Sequence, residues 1–154
     1  MMTTDRERHV HARLFSYAGY KKEIDEFFET ALRQTAKQDD QSGVRGSFRS
    51  DPTARGGVML ADPPPRIREA MAWTRAIDDA WSECEMLDGG NPYGLAYLLE
   101  RNFCLTGEPR PRSQNAHARR RICEACGIAE RTFYLWLDKV TSIVIYHASH
   151  AGLL

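Results

Sequence analysis

The chain has 154 residues, of which 42% are hydrophobic, and this favours a folded domain with its own core and excludes global disorder. It has no apolar run approaching the roughly 20 residues that span a bilayer, and its start, MMTTDRERHVHAR, has no apolar signal segment. The sequence therefore predicts a cytoplasmic protein with no membrane partner. Its 21 Lys and Arg residues balance 21 Asp and Glu residues, so the net charge alone predicts no attraction to nucleic acid.

The first predicted element is a long amphipathic helix over residues 6–38. Its apolar positions recur at intervals of four and three residues, with Lys21 in place of one of them. These positions are Val10, Leu14, Tyr17, Ile24, Phe28 and Ala31. Two interpretations of this stripe remain open: a seam for a homodimer or another partner, or the inward face of a helix that packs on its own domain.

The next part of the chain is predicted to be a linker with a short helical turn. It begins with a polar stretch that contains glycines, which is typical of loops. Asp51 followed by Pro52 then signals the start of the helical turn. The sequence thus divides into an N-terminal helix (1–38), this linker (39–64) and a helical domain (65–154).

Two further helices precede the C-terminal segment. The first is predicted over residues 65–87 and ends at two glycines, and the second begins at Asn91-Pro92 and runs to about Leu105. The segment 140–147 is ambiguous, because its β-branched residues favour a strand whereas its apolar spacing continues a helix. No turn residue separates it from the helix before it, so the sequence predicts a helix there and an all-α fold.

The most specific pattern in the chain is a helix-turn-helix at about residues 113–138. Such a motif needs a small residue where the two helices cross, a glycine at the turn, and apolar residues that hold the second helix down. Cys123 lies four residues before Gly127, and apolar residues recur on both sides of the turn. The predicted motif core consists of Ile122, Cys123, Cys126, Gly127, Ile128, Phe133 and Trp136.

The second helix of this motif is the predicted recognition helix, which would lie in a DNA major groove. The predicted base-reading residues are Glu130, Arg131, Thr132, Tyr134, Leu135 and Asp138. Arg131 suits a bidentate contact to guanine, Glu130 suits the cytosine amino group, and Leu135 suits a thymine methyl group. For Tyr134 and Leu135, contact with the neighbouring helix is the alternative.

The charge of the chain is unevenly distributed, and its C-terminal part favours DNA. Residues 106–154 carry seven Lys or Arg against four Asp or Glu, which predicts a local basic patch. The predicted phosphate-binding residues are Arg110, Arg112, Gln114, His117, Arg119, Arg120 and Arg121. Four or five arginines on phosphates predict a slope of about −4 for log K against log salt. A solvated charged face is the alternative.

No catalytic or cofactor pattern accompanies the motif. The sequence has no phosphate-binding glycine loop, dinucleotide fingerprint or zinc-protease motif, and its five histidines are scattered. Cys123 and Cys126 have the spacing of one zinc-ligand pair, but a structural zinc site usually needs two such pairs. We therefore expect a protein that is not an enzyme and needs no metal or cofactor, with both thiols as small packing residues.

Two segments, SDPTARGG at 50–57 and GIAERTFYLW at 127–136, make the chain similar to the ArpU/RinA-type phage transcriptional regulators. The resemblance implies a long N-terminal helix and a C-terminal helical domain like the promoter-reading region 4 of sigma factors. It also implies a phage or prophage regulator of late genes that acts near a promoter, with RNA polymerase as a candidate partner. The family usually has Ser at the position of Ala129, where the hydroxyl would cap the recognition helix.

Double-stranded DNA is therefore the expected partner, and sequence-specific transcriptional regulation is the expected function. A protein-interaction module without base readout is the alternative from another class. The long first helix and the tryptophans Trp73, Trp81 and Trp136 would then serve an RNA polymerase subunit or a packaging component.

Overall fold

The computed structural model describes residues 3–36, 57, 60–91, 94–108 and 110–154, and the regular structure in these ranges is entirely helical. Its α-helices are α1 (Asp5–Phe15), α2 (Tyr17–Ala36), α3 (Pro65–Leu87), α4 (Leu95–Phe103), α5 (Asn115–Cys126) and α6 (Glu130–His150), and a 3-10 turn at Arg112–Gln114 precedes α5. The predicted all-α fold is confirmed, as are the helix over 65–87 and the helix through 140–147. None of the described helices has the length and apolar character to pass through a bilayer. Most of the predicted linker, including Asp51-Pro52, lies outside the described residues.

Within residues 3–36, the segment predicted as one helix over 6–38 consists of two helices, because α1 ends at Phe15 and α2 begins at Tyr17. The hydroxyl of Ser16 donates to the carbonyl of Ala12 at 2.9 Å, and its backbone N–H donates to the same carbonyl at 3.2 Å. Back-bonding of this kind by serine bends helices. At the other end of α1, Thr4 and Glu7 form a capping box that fixes where the helix begins.

The chain forms two compact units, one of Met1–Gly19 with Ala72–Leu154 and one of Tyr20–Met71. This differs from the predicted three-part division, because α1 packs on α6 within the first unit. Val10 and Leu14 of α1 have no exposed surface there. Val10 and Leu14 therefore pack on their own domain. For these two residues this argues against the alternative of a seam for a partner.

The core of the first unit consists of residues at helical spacing on α3, α4 and α6. Its fully buried side chains include Trp73, Ile77 and Cys84 on α3, Leu98 and Leu99 on α4, and Val140 and Val144 on α6. Helix α4 packs on both α5 and α6. It therefore supports both helices of the predicted helix-turn-helix.

The start of α4 is set by a carboxylate from the preceding turn. Asp88 accepts a hydrogen bond from the backbone N–H of Ala96 at 2.7 Å, in a first turn whose N–H groups have no partner within the helix. Gly94 leaves room for this contact, since a Cβ on Gly94 would lie 2.2 Å from the Cγ of Asp88. The described helix begins at Leu95, whereas the sequence predicts a start at Asn91-Pro92, and residues 92 and 93 lie outside the described residues.

The second unit contains most of α2 and the start of α3. Arg66 donates two hydrogen bonds to the carboxylate of Glu23, at 3.1 and 2.8 Å. This ion pair is open to solvent, so it contributes little to stability. The buried positions of the unit are Ala31, Ile67 and Ala70. Ile24 and Phe28 of the predicted stripe are half-buried.

Candidate nucleic-acid interface

Helices α5 and α6 are joined by the three residues 127–129, and Gly127 makes this turn possible. Gly127 has a left-handed conformation (φ 63°, ψ 34°), which costs a residue with a side chain about 1–2 kcal/mol. Its N–H donates to the carbonyl of Glu124 at 3.3 Å, and the N–H of Ile128 donates to that of Cys123 at 3.0 Å. These two bonds form a Schellman motif, which satisfies the last carbonyls of α5. The chain thus has two helices and a tight turn where the sequence predicts them.

The predicted motif core is buried to different degrees. Ile122 of α5 and Phe133 of α6 are almost fully buried, and these two helices pack on each other. Half-buried members are Cys123, Cys126, Ile128 and Trp136, whereas Gly127 is exposed. Ala118 is also buried. Sequence reasoning missed it, although it lies one turn before Ile122 and therefore on the same face.

Cys123 and Cys126 lie one helical turn apart on α5. Within the described ranges, no group of three or more His, Cys, Asp or Glu side chains is placed to hold a metal ion. Burial raises the pKa of both thiols, and the charge of Glu130 adds to this effect at Cys123. A thiol with a raised pKa is protonated at neutral pH and is a poor nucleophile. Both side chains are half-buried, and their role as packing residues of the motif stays a prediction.

The first turns of α6 present three of the predicted base-reading side chains to solvent. Arg131, Leu135 and Asp138 are exposed, and their spacing of four and three residues places them in one stripe along the helix. Thr132 is half-buried and lies outside this stripe. Burial lowers the pKa of His11 on α1, and the charge of Asp138 opposes that shift. The Nε2 of His11 lies 2.9 Å from the hydroxyl of Thr141, three residues after Asp138, so the Asp138 end of the stripe is the one nearest α1.

Glu130 and Tyr134 are exposed as well, but both contact Arg119 of α5. The Nε of Arg119 lies 2.9 Å from Oε1 of Glu130, and its Nη1 donates to the hydroxyl of Tyr134 at 2.8 Å. The guanidinium carbon lies 5.6 Å from the centroid of the Tyr134 ring. The structure therefore brings one predicted phosphate-binding residue together with two predicted base-reading residues. For Tyr134, it favours the alternative of contact with the neighbouring helix.

Arg120 and Arg121 differ from Arg119, although the three are consecutive. Both are exposed, as are His117 one turn earlier and Gln114 in the 3-10 turn. In the described part of the chain, neither Arg120 nor Arg121 has an ion-pair partner. His117, Arg120 and Arg121 form an exposed surface that we call the basic face of α5. This face keeps the predicted capacity for phosphate contact.

The loop arginines Arg110 and Arg112 both contact other parts of the protein. This argues against their predicted role in phosphate binding, more strongly for Arg110 than for Arg112, which is exposed. Arg110 is half-buried and donates from Nη2 to the backbone carbonyl of Asn102 on α4. The guanidinium carbon of Arg112 lies 5.4 Å from the centroid of the Phe15 ring on α1, a cation–π arrangement. Arg110 contacts a residue eight positions earlier on α4, and Arg112 contacts one that is far away in sequence, so the periodicity of a single helix reveals neither contact.

Comparisons of the chain with models of protein families, with curated proteins and with solved structures find no match. The likeness to ArpU/RinA-type regulators and to region 4 of sigma factors stays a prediction from the sequence. Support for a function comes from the geometry of α5 and α6.

Proposed function

We propose that the chain binds double-stranded DNA sequence-specifically through α5 and α6 and regulates transcription. One observation carries the proposal: the first turns of α6 bury Phe133 in the motif while they expose Arg131 and Leu135. A helix that is held from one side and free on the other has the form that enters a major groove about 12 Å wide.

The exposed stripe of α6 offers two kinds of base contact. The guanidinium of Arg131 matches the two acceptor atoms of guanine, and the side chain of Leu135 matches the methyl group of thymine. A good bidentate pair contributes roughly 1–3 kcal/mol of discrimination against the wrong base. Loss of the Arg131 side chain should therefore reduce specificity more than loss of any other side chain in the stripe.

The basic face of α5 would hold the protein on the phosphate backbone. Such contacts fix register and orientation but read no sequence. Since Arg110, Arg112 and Arg119 are used elsewhere, two arginines remain of the predicted four or five. The expected slope of log K against log salt accordingly becomes about −2 in place of about −4.

We propose further that the DNA is that of a phage or prophage in the cytoplasm of a bacterial host, and that the regulated genes are late genes. This part rests on the resemblance of residues 50–57 and 127–136 to the ArpU/RinA-type regulators. One recognition helix reads few base pairs, so RNA polymerase or a second copy of the chain would supply the remaining affinity. A second copy would have to bind elsewhere than at Val10 and Leu14, which are core residues.

An exposed apolar pair on α6 favours a second candidate function, a protein-interaction module without base readout. Leu135 and Tyr146 are 61% and 55% exposed. They lie eleven residues apart, close to three whole turns, and so share one side of the helix. Exposed apolar surface of this kind also suits a protein partner, such as RNA polymerase or a packaging protein.

Selection of bound fragments from the encoding genome, followed by gel-shift titration, separates the two functions. We expect Arg131→Ala to reduce the ratio of affinities for selected and scrambled DNA, and Arg120→Ala to weaken binding to both DNAs equally. Arg6→Ala, on the exposed side of α1, is the matched control and should change neither. If no fragment is retained by the wild-type protein, the proposed DNA binding is wrong and the interaction module is favoured.

A further inference from the structure

Arg119 connects the two helices of the motif, and this sets it apart from the other arginines of α5. Its side chain is 34% exposed, whereas Arg120 and Arg121 are exposed side chains on the basic face. It contacts Glu130 and Tyr134, the first and fifth residues of α6. We call Arg119, Glu130 and Tyr134 the Arg119 clamp.

The clamp depends on the planar shape of the guanidinium group. Its Nε contacts the carboxylate of Glu130, its Nη1 donates a hydrogen bond to the hydroxyl of Tyr134, and the guanidinium group lies over the Tyr134 ring. A lysine ammonium is a compact point charge without a plane, so lysine cannot make all three contacts at once. Because two donors of Arg119 are bound within the protein, fewer are available for a phosphate.

The clamp acts at a place where α6 has no side-chain cap. Ala129, the N-cap residue, makes no side-chain hydrogen bond to the first turn. Glu130 is the first residue of that turn, and its contact with Arg119 holds the turn against α5. Consecutive residues of an α-helix point about 100° apart. Fixing the direction of Glu130 therefore also fixes the direction of Arg131.

The clamp also removes Glu130 from the candidate base readers. Its carboxylate oxygen is bound to Arg119, and the pairing balances a negative charge that would otherwise repel the nearest phosphates. The exposed stripe beside it includes Arg131 and Leu135, for which the described residues provide no hydrogen bond, ion pair or ring contact. Four residues span about 6 Å along a helix, and base pairs are spaced about 3.4 Å apart.

We propose that Arg119 is a positioning residue that clamps the start of α6, so that Arg131 reads a guanine and Leu135 a thymine within about two base pairs of it. The proposal rests on the DNA binding proposed above and adds the class of sequence that is read. Glu130 and Tyr134 orient the recognition helix and contact no base.

The first test separates positioning from phosphate contact by measuring salt dependence and specificity together. We expect Arg119→Ala and Arg119→Lys to lower the ratio of affinities for selected and scrambled DNA at least fivefold, with the salt slope unchanged. Arg120→Ala should leave that ratio unchanged and make the slope shallower by about 0.9. If Arg119→Lys behaves like the wild type, or if Arg119→Ala changes only the slope, Arg119 is a phosphate contact and the proposal is wrong.

The second test changes single bases in the selected site. Replacing the guanine should reduce wild-type affinity roughly 5- to 150-fold and should have little effect on Arg131→Ala. Deoxyuridine in place of the thymine removes only the methyl group, and it should weaken the wild type but not Leu135→Ala. Glu130→Gln keeps an acceptor for Arg119 and should retain the wild-type preference. A preference at a cytosine that changes in Glu130→Gln would overturn the proposal.

A third measurement tests the clamp without DNA. Unfolding of Arg119→Ala, Tyr134→Phe and the double variant should be non-additive, because both single changes break the same contact. Additive effects would contradict the clamp, even in a protein that binds DNA with full specificity. If the coupling is present but the wild-type protein shows no DNA preference, the proposed function and the assigned base contacts are wrong, and only the clamp remains.

Discussion

Replacing Gly94 with alanine tests whether the carboxylate of Asp88 fixes the start of α4. The new Cβ would lie 2.2–2.5 Å from the three carboxyl atoms of Asp88, so that side chain would have to move away. The N–H of Ala96 would then lose its acceptor. Both Gly94 and Ala96 are buried, and the methyl group would occupy the space through which water could reach that N–H.

The expected cost follows from the loss of this one hydrogen bond. It is about 1 kcal/mol where water can replace the carboxylate, as for a lost helix cap, and about 1–3 kcal/mol where the buried N–H has no partner. We expect Gly94→Ala to lower the free energy of unfolding by about 2 kcal/mol, which is about 4–8 °C in Tm for a chain of this length. Asp88→Ala should cost about 1 kcal/mol, because the space it leaves admits water. The double variant should cost about 2 kcal/mol, which is less than the sum of about 3 kcal/mol for the two single changes. The costs are not additive because the double variant has no carboxylate for the new methyl group to displace.

Urea denaturation followed by circular dichroism measures the three variants. Gly107→Ala is the control, because a Cβ on Gly107 would meet nothing within 4 Å, and its effect should stay within about 1 kcal/mol. If Gly94→Ala is as mild as this control, or if its cost adds fully to that of Asp88→Ala, the carboxylate does not set the start of α4.

Three further changes test the turn and the contact between α1 and α6. Ala129→Ser adds a hydroxyl at the uncapped start of α6, and we expect chemical denaturation to show a gain of about 1 kcal/mol; no gain would contradict the assignment of residue 129 as N-cap. Gly127 has φ 63°, so Gly127→Ala should lower the free energy of unfolding by about 1–2 kcal/mol, and Gly127→Asn should lower it by less. Thermal melts measure both variants, and equal costs would show that backbone strain is not the cause. Burial lowers the pKa of His11 from its ordinary 6.5, so the unfolded chain binds a proton first and the free energy of unfolding falls as the pH drops below about 6.5. His11→Gln, which retains a partner for Thr141, should flatten that fall, and profiles that stay parallel would refute the role of His11.

The helix-turn-helix could be located from sequence because its signals are local. Gly127 has the conformation that its position in the pattern requires, and Ile122 and Phe133 are buried where their spacing predicts. Each of these signals depends on residues within a few turns of one another. The helix over 65–87 was predictable for the same reason, since proline and glycine mark its two ends.

Sequence reasoning missed features that depend on a partner in another helix or turn. It also missed a local hydrogen bond in which a side chain competes for the carbonyls of its own helix. The break at Ser16 comes from a side chain that competes for backbone carbonyls within an otherwise helical stripe. The start of α4 depends on Asp88, eight residues before the N–H that it caps. The basic patch predicts a phosphate contact for Arg119, whereas in the structure this residue pairs with Glu130 on the next helix. Helical periodicity describes one face of one helix, so it carries no information on such pairs.

Helix α6 runs without interruption from Glu130 to His150, a rod of about 30 Å. Arg131 is at one end of this rod, whereas Val144 and Ala148 near the other end have no exposed surface. Because the helix is continuous, its first turns cannot rotate independently of the part that is packed in the core. In the proposed complex with DNA, differences in shape between binding sites would have to be accommodated by bending of the duplex or by side-chain rotamers. Ala148 has no exposed surface, so a larger side chain there should shift the whole helix, including the first turn that carries Arg131.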